Sequence, residues 1–254
     1  MNIESNSSKA IENQGKEEES CKIDNVNDGT LDFLKNLSEI YVQQEVELLE
    51  LLTHFETENK YKIIDPNSGT EILAAKEETE CCNRNCLGRC RSADIVITNP
   101  LGVEVMHLTR FLRMKSCCFP CCLQKMEVYY PPGNLIGNIK QKWSFCNPTL
   151  VIEDTKGNSL FKIVGPACGC GIVHFEIYST RFPLIGKNVI EKIGEIRKMW
   201  GGYLKEAHTD ADSFGIDFPD QSSVNEKCLL LGALFLIDYM YFETTPIKRR
   251  ERYH

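Results

Sequence analysis

The sequence predicts a mainly β protein: a closed antiparallel β-barrel around a hydrophobic C-terminal helix, preceded by an amphipathic helical segment. Through the middle of the chain, apolar and polar residues alternate in short stretches joined by turn-forming residues. A long apolar run, Cys228–Phe242, follows these stretches. An open sheet with one apolar face has exposed edges. Closing the sheet around the apolar run removes the edges and fills the lumen.

Four segments have the pattern of strand, turn and strand. In each, Asp, Asn or Pro opens the turn and Gly closes it, as a hairpin position with positive φ requires. The segments are Tyr61–Leu73, Ile95–Met106, Met126–Ile136 and Leu150–Phe161. Further strands are expected at Gly171–Tyr178 and Ser213–Phe218, and in the second of these Phe214 and Ile216 share one face.

The segments that flank the sheet have other compositions. Residues 1–30 are rich in Ser, Asn, Glu and Lys and contain no proline, which predicts a disordered tail that cannot bury enough apolar surface to fold. Between Leu31 and Phe55 apolar residues recur near the helical period, which predicts one or two amphipathic helices. The main domain is expected to span residues 31–245, and a basic tail, 246–254, follows it.

The run Cys228–Phe242 has two interpretations. As a helix it would be about 22 Å long, shorter than the roughly 30 Å hydrocarbon core of a bilayer. It also contains Asp238, which is costly in mid-membrane and needs a hydrogen-bonding partner if it is buried in protein. A helix buried by protein, with Leu231 and Phe235 among its side chains, is favoured, and a single membrane span is the competing interpretation.

The composition argues against several classes of protein. A formal net charge of −7 and a pI near 5.4 argue against a general nucleic-acid binder, because such proteins present a basic face. The N-terminus has neither a basic nor an apolar segment of the kind a secretory signal requires, so we expect a cytosolic start. No phosphate-binding glycine loop or nucleophile–histidine–acid pattern is found, so no enzymatic activity is predicted.

Thirteen cysteines in a chain expected in a reducing compartment favour acylation, metal binding or burial over disulfides. The most specific motif is Cys117-Cys-Phe-Pro-Cys-Cys122, beside Arg110, Arg113, Lys115 and Lys125. Several thiols on an exposed basic loop favour multiple S-palmitoylation, at Cys117, Cys118, Cys121 and Cys122. Zinc is a weaker alternative, with these thiols alone or with Cys81, Cys82, Cys86, Cys90, Cys168 and Cys170. Burial as small hydrophobic residues is the third interpretation.

The segment Asp210–Gln221 partly matches a twelve-residue calcium loop. Aspartates occupy its first and third positions and glycine its sixth, but Phe214 stands at the fifth and Gln221 replaces the bidentate carboxylate at the twelfth. A weak calcium site is therefore predicted at Asp210, Asp212, Asp217 and Asp220, completed by a further ligand such as a lipid phosphate. Exposed carboxylates on a strand and its preceding loop are the alternative.

Several motifs in combination resemble the phospholipid scramblase family. They are Gln43–Glu50, Phe55–Thr57, Asn59–Tyr61, Cys117–Gln124, Ile163–Pro166, Asp210–Ile216 and Phe235–Glu243, so the resemblance runs from about Leu31 to Glu243. It implies a tubby-like fold, palmitoylation of the four cysteines and calcium binding from Asp210. It also implies calcium-activated, ATP-independent, bidirectional movement of phospholipids between leaflets, at the cytosolic face of the plasma membrane.

The resemblance also bears on partners. Membrane phospholipids are the expected partners, whereas SH3 and WW domains are not, because the N-terminal tail lacks the proline-rich region of the longer family members. The segment Ile193–Trp200 is similar to one linked to nuclear import, but Glu195 stands where a basic residue is usual. The alternative function is a palmitoyl-anchored module that binds signalling proteins or phosphoinositides, with the terminal helix as its core and no transport activity.

Overall fold

The computed structural model describes residues 29–45, 58–78, 91–113, 123–167, 174–180, 191–199 and 212–242. Within these ranges twelve antiparallel strands form a closed barrel, in which consecutive strands pair and β1 also pairs with β12. The strands are β1 (Glu39–Glu45), β2 (Lys60–Ile64), β3 (Glu71–Glu78), β4 (Ala93–Thr98), β5 (Glu104–Arg110), β6 (Lys125–Tyr130), β7 (Asn134–Lys142), β8 (Thr149–Asp154), β9 (Ser159–Val164), β10 (His174–Ser179), β11 (Lys192–Met199) and β12 (Ser213–Asp217).

The two ends of the barrel differ. At one end, which we call the hairpin end, short turns join β2 to β3, β4 to β5, β6 to β7 and β8 to β9. At the other end, connections join β3 to β4, β5 to β6, β7 to β8 and β9 to β10. The connections there carry most of the cysteines in the sequence, so we call it the cysteine end.

The four predicted hairpins are confirmed as β2–β3, β4–β5, β6–β7 and β8–β9, and the two further predicted strands as β10 and β12. Their turns have the chemistry that the sequence indicated. Asp65 accepts hydrogen bonds from the backbone N–H of Asn67 at 2.9 Å and from the hydroxyl of Ser68 at 2.8 Å. Gly69 and Gly157 have φ angles of +68° and +83°, in the left-handed region that favours glycine.

The amphipathic helix predicted between Leu31 and Phe55 is wrong over the part that the structure describes. Asp32–Asn36 form a short 3₁₀ helix, and Glu39–Glu45 form β1, with Ile40 and Val42 buried in the barrel. Pairing with β2 on one side and β12 on the other satisfies the backbone of this segment and closes the barrel, so tertiary pairing decides its structure. Residues 46–57 lie outside the described residues.

The strand β11 was not predicted from the sequence. Buried and exposed side chains do not alternate regularly along β11. Ile196 and Met199 are its buried side chains, and many of its other residues are charged. The strand fills the position between β10 and β12, where it pairs with both. Its structure therefore follows from barrel closure more than from local periodicity.

The predicted central helix fills the lumen. This helix, α1, spans Val224–Ile237 and continues as a π-helical turn, Asp238–Phe242. Apolar side chains cover it on all sides, and Leu230, Leu234 and Phe235 are each 0% exposed. A helix that is hydrophobic all round is typical of a buried helix, so the interpretation of the run as buried by protein is confirmed. Among the described residues no helix combines the length and the hydropathy needed to cross a bilayer.

The helix begins earlier than the apolar run indicated, because Ser223 and Glu226 form a capping box. The Ser223 hydroxyl accepts a hydrogen bond from the Glu226 N–H at 3.3 Å, and the Glu226 carboxylate accepts one from the Ser223 N–H at 2.8 Å. Next to it, the Lys227 ammonium donates to the carbonyls of Leu34 and Leu37 at 2.8 and 2.7 Å, and burial lowers the pKa of this lysine. These contacts hold the start of α1 against the 3₁₀ helix at the hairpin end.

Candidate functional site

Buried polar side chains surround the last turn of the central helix at the cysteine end. The Tyr61 hydroxyl donates a 2.7 Å hydrogen bond to the carboxylate of Asp238, which is 3% exposed. This contact supplies the partner that a buried Asp238 was expected to need. Beside it, the guanidinium groups of Arg91 and Arg110 lie 5.0 and 5.1 Å from the ring centroid of Tyr239. We define the polar cluster as Asn59, Tyr61, Glu77, Arg91, Arg110, Gln124, Asp238 and Tyr239.

A buried ion pair joins Glu77 and Arg91 in the polar cluster. Arg91 Nε and Nη2 donate to the two carboxylate oxygens of Glu77 at 2.8 and 2.9 Å, and the two side chains are 2% and 0% exposed. Asn59 donates a further hydrogen bond to Glu77 at 2.7 Å. Since a buried charge is tolerated only when it is paired and hydrogen-bonded, this ion pair fixes β3 and the start of β4 relative to each other.

Arg110 extends the polar cluster towards β6 and corrects one expectation. It donates to the Arg91 carbonyl at 3.0 Å and to the Gln124 side-chain oxygen at 2.9 Å, and it is 1% exposed. The sequence placed Arg110 among the basic residues around an exposed cysteine loop. It instead lies in the core, because its guanidinium is held by these two acceptors and by the ring of Tyr239.

Three of the motifs that carried the family resemblance meet in the polar cluster, and the one at Cys117–Gln124 supplies Gln124. Asn59–Tyr61 supplies the donors to Glu77 and Asp238, and Phe235–Glu243 supplies Asp238 and Tyr239. Among the helix residues singled out from the sequence, Phe235 packs edge-on against Tyr61, with ring centroids 5.0 Å apart. The remaining helix residues from that set, Cys228, Leu231 and Phe242, are buried as well.

The structure does not bring the predicted calcium carboxylates together. Asp212 precedes β12 at the cysteine end, whereas Asp217 ends β12 at the hairpin end. Five residues of extended strand place their Cα atoms about 16 Å apart, which is too far for both to bind one ion. Asp220 is exposed, and Asp210 lies outside the described residues. Calcium binding at these residues stays a prediction.

The two described carboxylates on β12 are already paired with basic residues of β11. Lys198 lies 2.7 Å from Asp212, and Arg197 donates a hydrogen bond to Asp217. Arg197 also lies 3.3 Å from Glu39 and 3.4 Å from Glu195, the cross-strand neighbours of Asp217 on β1 and β11. This arrangement cannot be inferred from the sequence, because it depends on the register of β1, β11 and β12, and β1 is distant from the other two in the chain.

The outer wall of the barrel carries a histidine, His107, whose pKa is shifted. The ring nitrogens of His107 lie 3.3 Å from Asp94 and 3.3 Å from Glu104. The hydrogen bond to Asp94 raises the pKa of His107 despite partial burial. Across the described residues, no group of three or more His, Cys, Asp or Glu side chains is arranged to hold a metal ion.

The residues predicted to be palmitoylated or to bind zinc lie outside the described residues. These are Cys81, Cys82, Cys86, Cys90, Cys117, Cys118, Cys121, Cys122, Cys168 and Cys170. The residues that flank the palmitoylation motif are described. Arg113 donates a 3.1 Å hydrogen bond to the Leu123 carbonyl, so the chain leaves and re-enters the barrel at the cysteine end. Cys228 is buried in the helix, where burial raises the pKa of its thiol to about 12.

The chain is similar to known scramblases over most of its length. The family model described as Scramblase matches residues 19–244. Phospholipid scramblase 1 of Mus musculus is 44% identical over 218 residues, which cover 85% of this chain and 64% of the mouse protein. Phospholipid scramblase 2 of Homo sapiens is 42% identical over 218 residues, covering 85% of this chain and 71% of that protein.

A third relative, phospholipid scramblase family member 5 of Homo sapiens, is 40% identical over 218 residues, covering 84% of this chain and 77% of that protein. The chain thus matches less than two thirds of the length of mouse phospholipid scramblase 1. No solved structure matches it. The extent of the family match and the identity to these relatives establish that the chain belongs to the phospholipid scramblase family.

Proposed function

We propose that this chain mediates calcium-activated, ATP-independent, bidirectional movement of phospholipids between membrane leaflets. The observation that carries the proposal is the family match over residues 19–244, which includes the whole described barrel and its central helix. Moving a lipid headgroup across hydrocarbon requires no bond to be made or broken, so the proposed activity is transport and not enzymatic catalysis.

The proposal includes attachment to the cytosolic face of the plasma membrane by palmitoyl groups on Cys117, Cys118, Cys121 and Cys122. Several acyl chains beside basic residues attach a protein stably, whereas a single chain gives marginal binding. The described flanks of this segment support the proposal, since Arg113 and Leu123 lie at one end of the barrel. Acyl chains on the segment would bring the cysteine end to the bilayer.

Calcium activation is part of the proposal, and the predicted ligands that the structure describes lie at both ends of the barrel. An ion near Asp212 would lie at the cysteine end, whereas one near Asp217 and Asp220 would lie at the hairpin end. The first position is at the same end of the barrel as Arg113 and Leu123, the described residues that flank the palmitoylation motif. A calcium ion there would neutralise carboxylate charge and attract anionic lipid, and a shortage of protein ligands would make its affinity low. Zinc bound by the clustered cysteines is the weaker cofactor proposal.

A lipid-scrambling assay in proteoliposomes tests the proposal. Palmitoylated protein is reconstituted with fluorescent phospholipid, and the loss of protected fluorescence is followed with and without millimolar calcium. We expect calcium to accelerate lipid movement in the wild type and to have little effect on an Asp210→Ala, Asp212→Ala variant. The matched control is Asp65→Asn, which changes a carboxylate in an exposed turn at the hairpin end. A rate equal to that of protein-free vesicles would refute the transport proposal.

One observation favours a second candidate function, a palmitoyl-anchored scaffold that binds lipids or signalling proteins without transport. The central helix fills the lumen of the described barrel, with Leu230, Leu234 and Phe235 fully buried, so the lumen offers no hydrophilic path for a headgroup. The same assay separates the candidates. Folded, vesicle-bound protein that moves no lipid under either calcium condition would favour the scaffold.

A further inference from the structure

Two aromatic side chains are exposed in the connection between β7 and β8 at the cysteine end. Trp143 is 58% exposed and Phe145 is 86% exposed. Large aromatic side chains are usually at least partly covered in a soluble protein, and exposed ones often mark a surface that binds a partner or a membrane. Because tryptophan has an amphipathic ring, it is enriched at the headgroup level of bilayers.

This aromatic loop, residues 143–148, is held beside the segment that bears the palmitoylation motif. The backbone N–H of Gln141 donates to the Gln124 carbonyl at 2.8 Å, and the Gln124 N–H donates to the Gln141 side-chain oxygen at 3.0 Å. Gln124 ends the β5–β6 connection, and Gln141 lies just before the aromatic loop. The two connections therefore leave the barrel side by side and at the same end.

Basic side chains lie next to the aromatic loop. Lys142 and Lys140 are 53% and 38% exposed and lie 3.7 and 2.5 Å from the same carboxylate, that of Glu153. Two cations that share one carboxylate leave an excess of positive charge. The neighbouring strand β6 adds Lys125, which lies opposite Lys140 and 2.5 Å from Glu127, so the three lysines exceed the two carboxylates by one charge. This charge complements a surface of anionic lipid headgroups.

The hairpin end provides an internal comparison. Leu101 is also 86% exposed, but it lies in a turn whose other side chains include Asn99. The turn that contains Leu101 has no aromatic residue. It also has no pair of lysines that share one carboxylate, as Lys140 and Lys142 do. Exposure of an apolar side chain is therefore common to both ends, whereas aromatic character combined with positive charge is found at the aromatic loop.

We propose that the aromatic loop inserts Trp143 and Phe145 into the headgroup region of an anionic phospholipid bilayer. Lys140 and Lys142 would lie against the lipid phosphates, and the barrel would stand with its cysteine end on the membrane. The inference deepens the proposed function and rests on it for the choice of phospholipid as partner. It adds a contact surface in the described part of the chain that does not require acylation.

The test uses full-length protein without acyl groups, so that binding by the aromatic loop is measured alone. The sequence contains two tryptophans, and Trp200→Phe leaves Trp143 as the single fluorescent reporter. Vesicles contain phosphatidylcholine with or without phosphatidylserine. On adding anionic vesicles, we expect the Trp143 emission to shift to shorter wavelength and to be quenched by lipids with bromine on the acyl chains.

Binding of variants to the same vesicles tests the individual residues. Phe145→Ala should weaken binding about tenfold, as expected for removing a buried phenylalanine. Lys142→Ala should weaken binding to anionic vesicles about fivefold, with little effect on neutral ones. Leu101→Ala is the matched control with equal exposure, and it should bind as the wild type does. Phe145, Lys142 and Leu101 are each more than half exposed, and unchanged melting curves would confirm that the variants fold.

An unshifted Trp143 emission in anionic vesicles, or wild-type binding by Phe145→Ala, would overturn the inference. A shift that appears without vesicles as the protein concentration rises would assign the loop to contact between copies of the chain, which would also overturn it. Failure here is distinct from failure of the proposed function. If the protein scrambles lipid but Trp143 does not insert, the proposed function stands and the proposed membrane contact is refuted. If Trp143 inserts but no lipid is scrambled, the membrane contact stands and the proposed function is refuted.

Discussion

Breaking the buried Glu77–Arg91 ion pair should strongly destabilise the barrel. Both side chains are almost completely buried, with two hydrogen bonds at 2.8 and 2.9 Å between them. Glu77→Gln keeps the shape of the side chain but removes its charge, which leaves the guanidinium of Arg91 buried without a counter-ion. Removing one partner of a buried ion pair typically costs about 3–5 kcal/mol.

The expected loss can be measured as a shift in the thermal midpoint. For a domain of this size, 1 kcal/mol corresponds to about 2–4 °C, so Glu77→Gln should lower the midpoint by roughly 6–20 °C. The matched control is Glu45→Gln, which breaks the 3.1 Å pair between Glu45 and Lys62. Both side chains of that pair are exposed, and such pairs contribute at most about 1 kcal/mol.

The double variant Glu77→Leu, Arg91→Met removes both charges of the ion pair. It therefore distinguishes the effect of losing the whole pair from the effect of leaving one buried charge without its partner. Replacing both buried charges with apolar side chains is often close to neutral, so the double variant should be more stable than Glu77→Gln. Differential scanning fluorimetry or circular dichroism of the purified chain would record all three midpoints. A Glu77→Gln midpoint no lower than that of Glu45→Gln would refute the argument that this ion pair is buried and structurally required.

Three further predictions follow from the described contacts. The Asp94 hydrogen bond raises the pKa of His107 above 6.5, so its stabilising effect is present below about pH 6.5 and is lost as the pH rises through the folded pKa. His107→Gln should therefore lower the thermal midpoint at about pH 6 and have little effect at about pH 9, and equal effects at both would contradict this. A Cβ at Gly232 would lie 2.9 Å from a methyl carbon of Val128, so Gly232→Val should overpack the lumen and cost about 1–3 kcal/mol in chemical denaturation. A variant as stable as the wild type would show that the helix is less closely packed. Because burial raises the pKa of the Cys228 thiol to about 12, iodoacetamide should modify its peptide only after unfolding, as mass spectrometry can show, and rapid labelling of native protein would contradict its burial.

The parts of the fold that the sequence predicted are those with local signals. The hairpin turn from Asp65 to Gly69 contains its own hydrogen-bond acceptor and its own left-handed glycine, so its type can be inferred without knowledge of the rest of the chain. The central helix was predicted because its apolar run exceeds any strand in length. Its start was placed too late, although Ser223 and Glu226 are spaced as a capping box and were a usable signal.

The parts that the sequence did not predict depend on distant pairing. The apolar residues of β1 continue into the leucines that follow at near-helical spacing, so the local pattern predicts a helix, and only closure against β12 shows a strand. For the same reason, the contacts of Arg197 with Glu39 and Asp217 could not be inferred. Arg110 was expected at the surface beside cysteines, since nothing local indicates that its guanidinium contacts Tyr239.

The position of the central helix in membrane-bound protein tests the account most directly. Palmitoylated wild-type protein would be bound to vesicles that contain a phospholipid with a photoreactive group in its acyl chain, with and without calcium, and labelled peptides would be mapped by mass spectrometry. We expect lipid labelling in the aromatic loop at Trp143 and Phe145 and none in residues 224–242, because the barrel encloses the helix. Strong labelling of residues 224–242 would show that the helix leaves the barrel to enter the bilayer, which would contradict the account.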